Sequence, residues 1–320
     1  MKEIGGYIEL DSYHLPMLHN EATALNCGRN ALRYLIKSRN IHTLWLPKFL
    51  CDSVLEVCKK EYINIKFYSV NNDFSFEDIA ITSEEWIYIV NYYGQIQNKK
   101  IKELSKKYER IIIDNSQAYF QLPMWGVDTL YTCRKFFGVA DGAFLYTDSL
   151  LDEEFEQDES FNRMHFLLGR YERSASEFYG EYVENNRIFK EESIKRMSKL
   201  TKNLLRGIDY EWIKDRRTEN FEYLHEQLKT YNQLELSVPE GAFMYPFYVK
   251  NGSEIRKKLQ QIKIFIPILW PSVFEWCKED ELEYDMAKNI LPIPVDQRYN
   301  LEDMKYIVES IMCIMKLEEK

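Results

Sequence analysis

Between about residues 26 and 147, short apolar runs alternate with longer segments whose apolar residues recur at helical spacing. The first such segment, Gly28 to Arg39, places its apolar side chains on one face, and the run Thr43 to Leu46 that follows reads as a strand ended by Pro47. A helix is predicted from about Asp52 to Lys60. This alternation is typical of βαβ units, in which helices join the strands of a parallel sheet.

Further apolar runs complete the predicted sheet, and a lysine-rich helix from Lys99 to Tyr108 separates two of them. The runs are Ile63 to Val70, Glu85 to Val90, Arg110 to Ile113, Asp128 to Cys133 and Gly142 to Tyr146. Because most of them are nearly continuous in apolar residues, they suit strands that are buried on both faces. The sequence therefore predicts an α/β fold with a large, mainly parallel sheet covered by helices.

Beyond residue 148 the pattern becomes charged and helical, with an acidic stretch from Leu151 to Glu159 and helical periodicity from Ile194 to Leu228. A smaller α+β unit is predicted from about Leu234. Its elements are strands at Gly241 to Val249 and Lys263 to Ile268 and a closing helix from Leu301 to Met315. We therefore expect a large domain over residues 1–205, followed by a bridging helix and a small C-terminal α+β domain over residues 206–320.

Composition indicates a folded globular protein and narrows its partners. The 320 residues are 45% hydrophobic and 29% charged, which is close to ordinary globular usage. The formal net charge of −9 argues against nucleic acid as a main partner, because a chain of this sign lacks the positive field that holds a phosphate backbone.

The spacing of the cysteine, histidine and apolar residues argues against a disulfide-rich protein, a metal-binding protein and a membrane protein. The six cysteines show no C-x-x-C pair and are too sparse for a disulfide scaffold, which favours reduced thiols in the cytoplasm. The five histidines lack zinc-binding spacing, so no metal site is expected. No signal-peptide pattern and no apolar segment long enough to span a membrane is found, so no membrane partner is expected.

Polar residues that directly follow the predicted strands are the first candidates for a site, because ligands of parallel sheets bind beyond the carboxyl ends of the strands. Three segments stand at or near such positions: Asn26 to Asn30, Asp114 to Gln117, and Thr132 to Lys135. The first opens a helix, whose N–H groups and dipole favour an anion such as phosphate. Singly, each segment has an ordinary explanation as backbone geometry, a helix cap or a solvated turn.

Together the three segments contain the parts of a pyridoxal phosphate (PLP) site: a lysine that binds the cofactor covalently, an acid for the pyridinium nitrogen and a cradle for the phosphate. The cradle comes first in the chain, the acid Asp114 next, and Lys135 follows 21 residues later. This order resembles that of fold-type I PLP enzymes, and in detail that of the DegT/StrS family of sugar aminotransferases.

The resemblance to this family covers most of the chain. The segment Cys27–Leu32 is similar to the family's S-G-T-x-A-L phosphate segment. The segment Leu46–Cys51 is similar to the family's V-P-x-x-T-[FW], and the segment Val90–Gly94 is similar to its V-H-x-x-G. Asp114 to Ala118 matches D-x-[AS]-[HQ]-[AG], and Asp128 to Asp148 matches the segment that carries the lysine. Later in the chain, Arg196-Met197-Ser198 is similar to the family's R-M-S and Leu291-Pro292-Ile293 is similar to its L-P-[IL]. The segment Arg216–Asn220 is similar to the family's R-R-x-x-[AN] helix.

The chain also departs from the family pattern, as a short and divergent member. Arg29 replaces a small hydroxyl residue at the cradle, so a guanidinium is expected to hold the phosphate, which arginine binds bidentately. Cys51 stands where the family has a ring-stacking aromatic residue, which leaves Phe49 as the substitute. Ile194 stands where the family usually has an asparagine that reaches the partner subunit's cofactor.

The resemblance implies a role for each candidate site residue. Lys135 would bind the cofactor and then move a proton as a base, and Asp114 would keep the ring nitrogen protonated. Gln117 would hydrogen-bond the ring hydroxyl. The phosphate would be held by Thr132 and by the segment Cys27, Gly28 and Arg29.

The implied function is that of a cytoplasmic, homodimeric PLP-dependent aminotransferase in glycan or polysaccharide biosynthesis. It would move an amino group from an amino acid such as glutamate to a nucleotide-linked keto sugar. Arg134, Arg170 and Arg298 are candidates for binding the donor carboxylate or a nucleotide diphosphate. Two alternatives stay open: a sugar dehydratase, whose family members lack the lysine, and a non-catalytic binding or assembly protein on the same fold, which Ile194 and Cys51 motivate.

Overall fold

The computed structural model describes residues 4–318, which contain a seven-stranded sheet. Its strands are β1 (Thr23–Leu25), β2 (Thr43–Pro47), β3 (Asn64–Tyr68), β4 (Trp86–Val90), β5 (Ile111–Asp114), β6 (Asp128–Thr132) and β7 (Ala143–Tyr146). They lie in the order β1-β7-β6-β5-β4-β2-β3; β7 is antiparallel to both of its neighbours and the other pairs are parallel. The prediction of a mainly parallel sheet is confirmed, and the short edge strand β1 is added to it.

Helices cover this sheet where the apolar periodicity predicts them. They are α1 (Gly28–Ser38), α2 (Asp52–Lys60) and α3 (Asn98–Lys107). In α1 the side chains of Ala31, Leu32 and Leu35 are at most 1% exposed, and the helix contacts β6 and β7. All residues of β4 and β5 are buried, as expected for strands with a helix layer on each face.

The charged region after β7 differs from the sequence prediction in detail. Its helices are α4 (His165–Glu172), α5 (Tyr179–Ile188), α6 (Lys199–Leu205) and α7 (Tyr210–Leu228). The helical stretch predicted over residues 194–228 is interrupted, because Ser198 caps the start of α6 and Asp209 caps the start of α7. No prediction identified α4 and α5, whose apolar residues do not gather on one face.

The second sheet contains β8 (Met244–Tyr248) and β9 (Ile290–Pro294), which are antiparallel. Around it lie α8 (Gly252–Gln261), α9 (Val273–Trp276), α10 (Leu282–Asn289) and α11 (Leu301–Glu318). The strand predicted at Lys263 to Ile268 is wrong, since those residues form no strand and β9 pairs with β8 instead. Pro292 and Pro294 obscure β9 in the sequence, but proline is tolerated here because both strands of a two-stranded sheet are edges.

Two apolar cores are present among the described residues. The second core is built from α7, β8, α8, β9 and α11, with Phe221, Phe247 and Met304 at 0% exposure. Several side chains after residue 205, such as Trp270 and Met286, nevertheless belong to the first core. The domain boundary at residues 205/206 therefore stays a prediction.

Arg217, on α7, ties the two parts of the chain together although it is only 1% exposed. Its Nη2 donates to the carbonyl of Phe136 (3.1 Å), and its Nη1 donates to the carbonyls of Ala242 (2.9 Å) and Phe243 (3.4 Å). Its Nε donates to Gln297 Oε1 (2.8 Å), and Gln297 in turn donates to the Phe136 carbonyl (2.9 Å). Burial lowers the pKa of Arg217 to about 10, so the guanidinium remains charged at neutral pH.

We expect Arg217→Met to destabilise the protein by about 2–4 kcal/mol, because the buried carbonyls of Ala242 and Phe243 lose their side-chain donor and that of Phe136 loses one of its two. Urea unfolding followed by circular dichroism measures this change. The matched control is Arg216→Met: Arg216 precedes Arg217 but is partly exposed and pairs with Glu219 on the helix surface. Equal shifts in the two variants would contradict the role of Arg217 as a buried tie.

Candidate active site

Strand pairing brings the three predicted segments to one edge of the sheet. Asp114 ends β5 and Thr132 ends β6, and these two strands are parallel neighbours. Ala143 on β7 pairs with Thr132 on one side and with Leu25 at the end of β1 on the other. The start of α1 therefore lies about two strand spacings, roughly 10 Å, from the end of β6.

The Asp114 carboxylate is buried, at 7% exposure, and is held by two donors. The Tyr88 hydroxyl donates to Oδ2 (2.8 Å), and the Ser116 N–H donates to Oδ1 (2.8 Å). Tyr88 reaches it because Tyr88 pairs with Ile112 on the neighbouring strand, and Asp114, two residues further along β5, faces the same side. A carboxylate accepts about four hydrogen bonds, so both oxygens keep capacity for a further partner.

Lys135 lies next to this carboxylate, in the turn after β6. Its Nζ donates to Ser116 Oγ (2.9 Å) and lies 5.5 Å from the ring centre of Phe243. The surrounding protein atoms exclude water from Nζ, and this desolvation lowers the pKa of Lys135. The charges of Asp114 and Cys51 oppose the shift. Part of the side chain remains exposed to solvent. Ser116 thus contacts both the predicted acid and the predicted lysine.

The turn that carries Lys135 is attached to the start of α1 and to α6. Gly142 donates to the Asn26 carbonyl (2.6 Å), and its own carbonyl accepts from the Cys133 N–H (3.1 Å). Gly142 has φ of +117°, and a Cβ there would lie 3.1 Å from the Cys133 sulfur, so a side chain would be strained. Next to it, the fully buried Asp141 accepts from the N–H (2.8 Å) and hydroxyl (2.7 Å) of Ser198.

Gln117 and Thr132 lie at the same edge as Asp114 and Lys135. Gln117 is 2% exposed, and its Oε1 accepts from the backbone N–H of Tyr93 (2.8 Å). Its Nε2 makes no hydrogen bond within residues 4–318, so the amide has a donor available for a ligand. Thr132, the last residue of β6, is half-buried.

The start of α1 presents the N–H groups that have no partner inside a helix. Cys27, at the N-cap, is 3% exposed and makes no side-chain capping bond, and burial raises the pKa of its thiol to about 11. Gly28 faces open space, since a Cβ there would meet no atom within 4 Å. The Arg29 guanidinium lies 3.9 Å from Glu56 on α2. Its predicted contact with a phosphate stays a prediction.

The structure does not support Phe49 as the residue that covers the cofactor ring. Phe49 is 1% exposed, and its ring lies 4.6 Å from that of Trp270 and 5.5 Å from that of Tyr92. It therefore fills the core. Cys51, two residues further on, is partly exposed and close enough to Lys135 for the two groups to affect each other's pKa.

The three candidate arginines differ in their partners. Arg134 donates to Asn186 on α5 and lies 4.8 Å from the Phe189 ring centre. Arg298 forms an ion pair with Asp296 (2.5 Å), and the pKa of Arg298 rises because of it. Arg170 has no hydrogen-bond or ion-pair partner in the described part of the chain. Burial lowers its pKa, and the nearby charge of Arg298 lowers it further.

Sequence reasoning missed Tyr88, Ser116 and Phe243. Tyr88 carried a signal, because a phenol in a fully buried strand needs a hydrogen-bond partner. Ser116 lay within a quoted motif but had no assigned role. Phe243 had no signal, since only the folded chain brings it to Lys135, more than 100 residues earlier.

Among residues 4–318, no group of three or more His, Cys, Asp or Glu side chains is arranged to hold a metal ion. Over the same residues, no helix combines the length and the apolar character needed to cross a membrane.

No family model and no curated protein matches this chain. Solved structures do. A DegT/DnrJ/EryC1/StrS aminotransferase from Brucella abortus is 15% identical, with a TM-score of 0.63, and the alignment covers 92% of this chain and 85% of that one. The sugar aminotransferase CalS13 from Micromonospora echinospora is 14% identical, with a TM-score of 0.63, and the alignment covers 92% of this chain and 87% of that one.

A third similar structure is that of GDP-4-keto-6-deoxy-D-mannose-3-dehydratase from E. coli with bound hydrated PLP. It is 14% identical, with a TM-score of 0.61, and the alignment covers 91% of this chain and 87% of that one. At such identities the likeness establishes the fold. The predicted fold-type I architecture is confirmed: this chain has the fold of the DegT/DnrJ/EryC1/StrS sugar aminotransferases and of a related PLP dehydratase.

Proposed function

We propose that this protein is a PLP-dependent aminotransferase that moves an amino group from an amino acid, such as glutamate, to a nucleotide-linked keto sugar. One observation carries the proposal: Asp114 ends β5, Lys135 lies in the turn after the adjacent strand β6, and Ser116 hydrogen-bonds to both. The structural neighbours CalS13 and the Brucella enzyme are aminotransferases by description, and the dehydratase neighbour binds PLP.

The residues present fit this cofactor. PLP, when bound, supplies an electron sink that stabilises negative charge at the carbon next to the amino group. The open space beside Gly28 and the N–H groups at the start of α1 suit its phosphate, with Thr132 close by. Asp114, buried and held by two donors, would face the ring nitrogen, and the Gln117 Nε2 would donate to the ring hydroxyl.

Lys135 would attach the cofactor and carry the proton that moves during the reaction. Its lowered pKa favours the neutral amine, which is the form that acts as nucleophile and base. The hydrogen bond to Ser116 fixes where Nζ lies relative to Asp114. The ring of Phe243 limits the directions from which solvent reaches Nζ.

Arg170 is the strongest candidate for binding an anionic group of the substrates. It lacks a protein partner within residues 4–318, and repulsion by Arg298 would be relieved by a bound carboxylate or diphosphate. Arg134 and Arg298 already have partners, which makes them supporting residues in this proposal.

The dehydratase alternative shares the fold, so the fold does not discriminate between the two reactions. Lys135 does, because the dehydratases of the resembled family lack this lysine. The placement of Lys135 beside Asp114 therefore favours transamination.

We include in this proposal a cytoplasmic homodimer. The exposed faces of α4 and α5 carry large apolar side chains, with Leu168 at 61%, Tyr171 at 92% and Tyr179 at 62% exposure. Such a patch is typical of an interaction surface, and an isologous pair is the commonest soluble assembly. Ile194 is buried, so the polar contact that the resemblance places at this position would be absent from the interface.

We expect Lys135→Ala to abolish covalent attachment of PLP and to lower transamination by about 10³-fold or more. Borohydride reduction followed by peptide mass spectrometry should trap PLP on Lys135 in the wild type and nowhere in the variant. The exposed surface residue Lys199 provides the control substitution Lys199→Ala. Wild-type protein that traps no PLP at Lys135 would refute the assignment and leave the non-catalytic alternative.

Asp114→Asn should keep the fold and the covalent attachment of PLP but lower kcat by about 100-fold or more, because a neutral amide does not stabilise the protonated ring nitrogen. The visible absorption of the bound cofactor and the rate with glutamate measure the two effects separately. Near wild-type turnover would mean that another group has the role proposed for Asp114.

Sedimentation velocity should find a dimer in the wild type and a monomer in the double variant Leu168→Glu, Tyr171→Glu, because charges placed in an apolar interface are costly to bury. Trp125→Glu is the control, since Trp125 is 99% exposed but lies far along the chain from α4. A monomeric wild type that still transaminates would contradict the dimer.

A further inference from the structure

A cavity of about 420 Å³ opens at the β1 edge of the large sheet. It lies between β1, the segment that follows β7, and α6. Asp114, Gln117 and Lys135 do not line it. Because β7 and β6 separate β1 from β5, the cavity and Asp114 are on strands roughly 14 Å apart in the sheet.

Three cationic side chains line this cavity: Arg196, Lys202 and Arg206. Among the arginines of residues 4–318, only Arg170, Arg196 and Arg206 have a side chain that makes no hydrogen bond, ion pair or ring contact, and the side chains of Arg196 and Arg206 both line this cavity. The Lys202 side chain likewise has no hydrogen-bond or ion-pair partner in that part of the chain. In a protein of net charge −9, such a cluster of unpaired cations is a local reversal of charge.

The three cations are close enough to repel one another. Burial lowers the pKa of Lys202, and the charges of Arg196 and Arg206 lower it further. Glu153 is the one carboxylate that lines the cavity, and Glu153, Arg196 and Arg206 are all exposed to solvent. A bound anion would relieve the repulsion among the three cations.

The lining of the cavity also contains apolar side chains, among them Met17, Tyr34, Leu151 and Phe155. A volume of this size is within the range of sites for drug-sized ligands, about 300–1,000 Å³. Phosphate alone would contact the cations and leave these apolar side chains without a partner. The volume and the mixed lining together fit a ligand that has both a phosphate group and an apolar group.

We propose that this cavity binds a phosphorylated small molecule of the nucleoside diphosphate class, at a site separate from Lys135. Arg196, Lys202 and Arg206 bind the phosphates, and the apolar side chains of the lining contact the base. The proposal does not depend on the aminotransferase function, because it rests on residues outside the candidate active site.

Isothermal titration calorimetry with UDP and with inorganic pyrophosphate tests the proposal. Wild-type protein should bind UDP saturably, more tightly than pyrophosphate and more weakly as salt rises. The double variant Arg196→Gln, Arg206→Gln should bind UDP about tenfold more weakly or worse, because it loses charge-assisted hydrogen bonds to phosphate. Lys202→Gln is a second, independent variant that should weaken binding in the same direction.

The control is the double variant Arg173→Gln, Arg187→Gln, which removes two charges from exposed ion pairs, one between α4 and α5 and one on α5, and should bind UDP as the wild type does. Equal losses in the control and in the cavity variants would overturn the proposal, and so would the absence of saturable UDP binding. Loss of UDP binding in Arg170→Gln, with no loss in the cavity variants, would instead place the ligand at the candidate active site. Equal affinity for UDP and pyrophosphate would reject a nucleoside ligand.

Discussion

The candidate site depends on two hydrogen bonds that the backbone of Gly142 makes. Its N–H binds the Asn26 carbonyl and its carbonyl binds the Cys133 N–H, so one residue holds the start of α1 beside the turn of Lys135. More than 100 residues separate these two segments in the chain. Because β7 is antiparallel to both of its neighbours, its first residues are the only ones in β7 that reach this edge of the sheet. A side chain at Gly142 would disturb both contacts.

Around that contact, the site is a buried polar network in an otherwise apolar setting. A buried carboxylate is costly unless donors satisfy it, and Tyr88 and Ser116 supply them to Asp114. Lys135 joins the network by donating to Ser116 Oγ. The network uses only part of the hydrogen-bonding capacity of Asp114 and Gln117, so both side chains still offer groups to a ligand.

Much of the fold could be predicted from the sequence because β2 to β7 are short apolar runs between turn residues, and α1 to α3 show helical periodicity. The predicted ends of these strands also placed Asp114, Thr132 and Lys135 at the same edge of the sheet, where the structure has them. The direction of a side chain could not be predicted in the same way. Phe49 points into the core because Trp270, from a distant part of the chain, packs on it. Strand β9 was missed because its prolines read as a break.

The buried tie at Arg217 couples the second sheet to the lysine. Arg217 binds the carbonyl of Phe136, which follows Lys135, and the carbonyl of Phe243, whose ring lies over Nζ. One guanidinium therefore sets both the position of the lysine turn and the position of the ring that shields it. Any displacement of the α7 and β8 region relative to the large sheet must break these bonds or move both groups. The position of Lys135 is for this reason a property of how the two parts of the chain pack, and not of the large sheet alone.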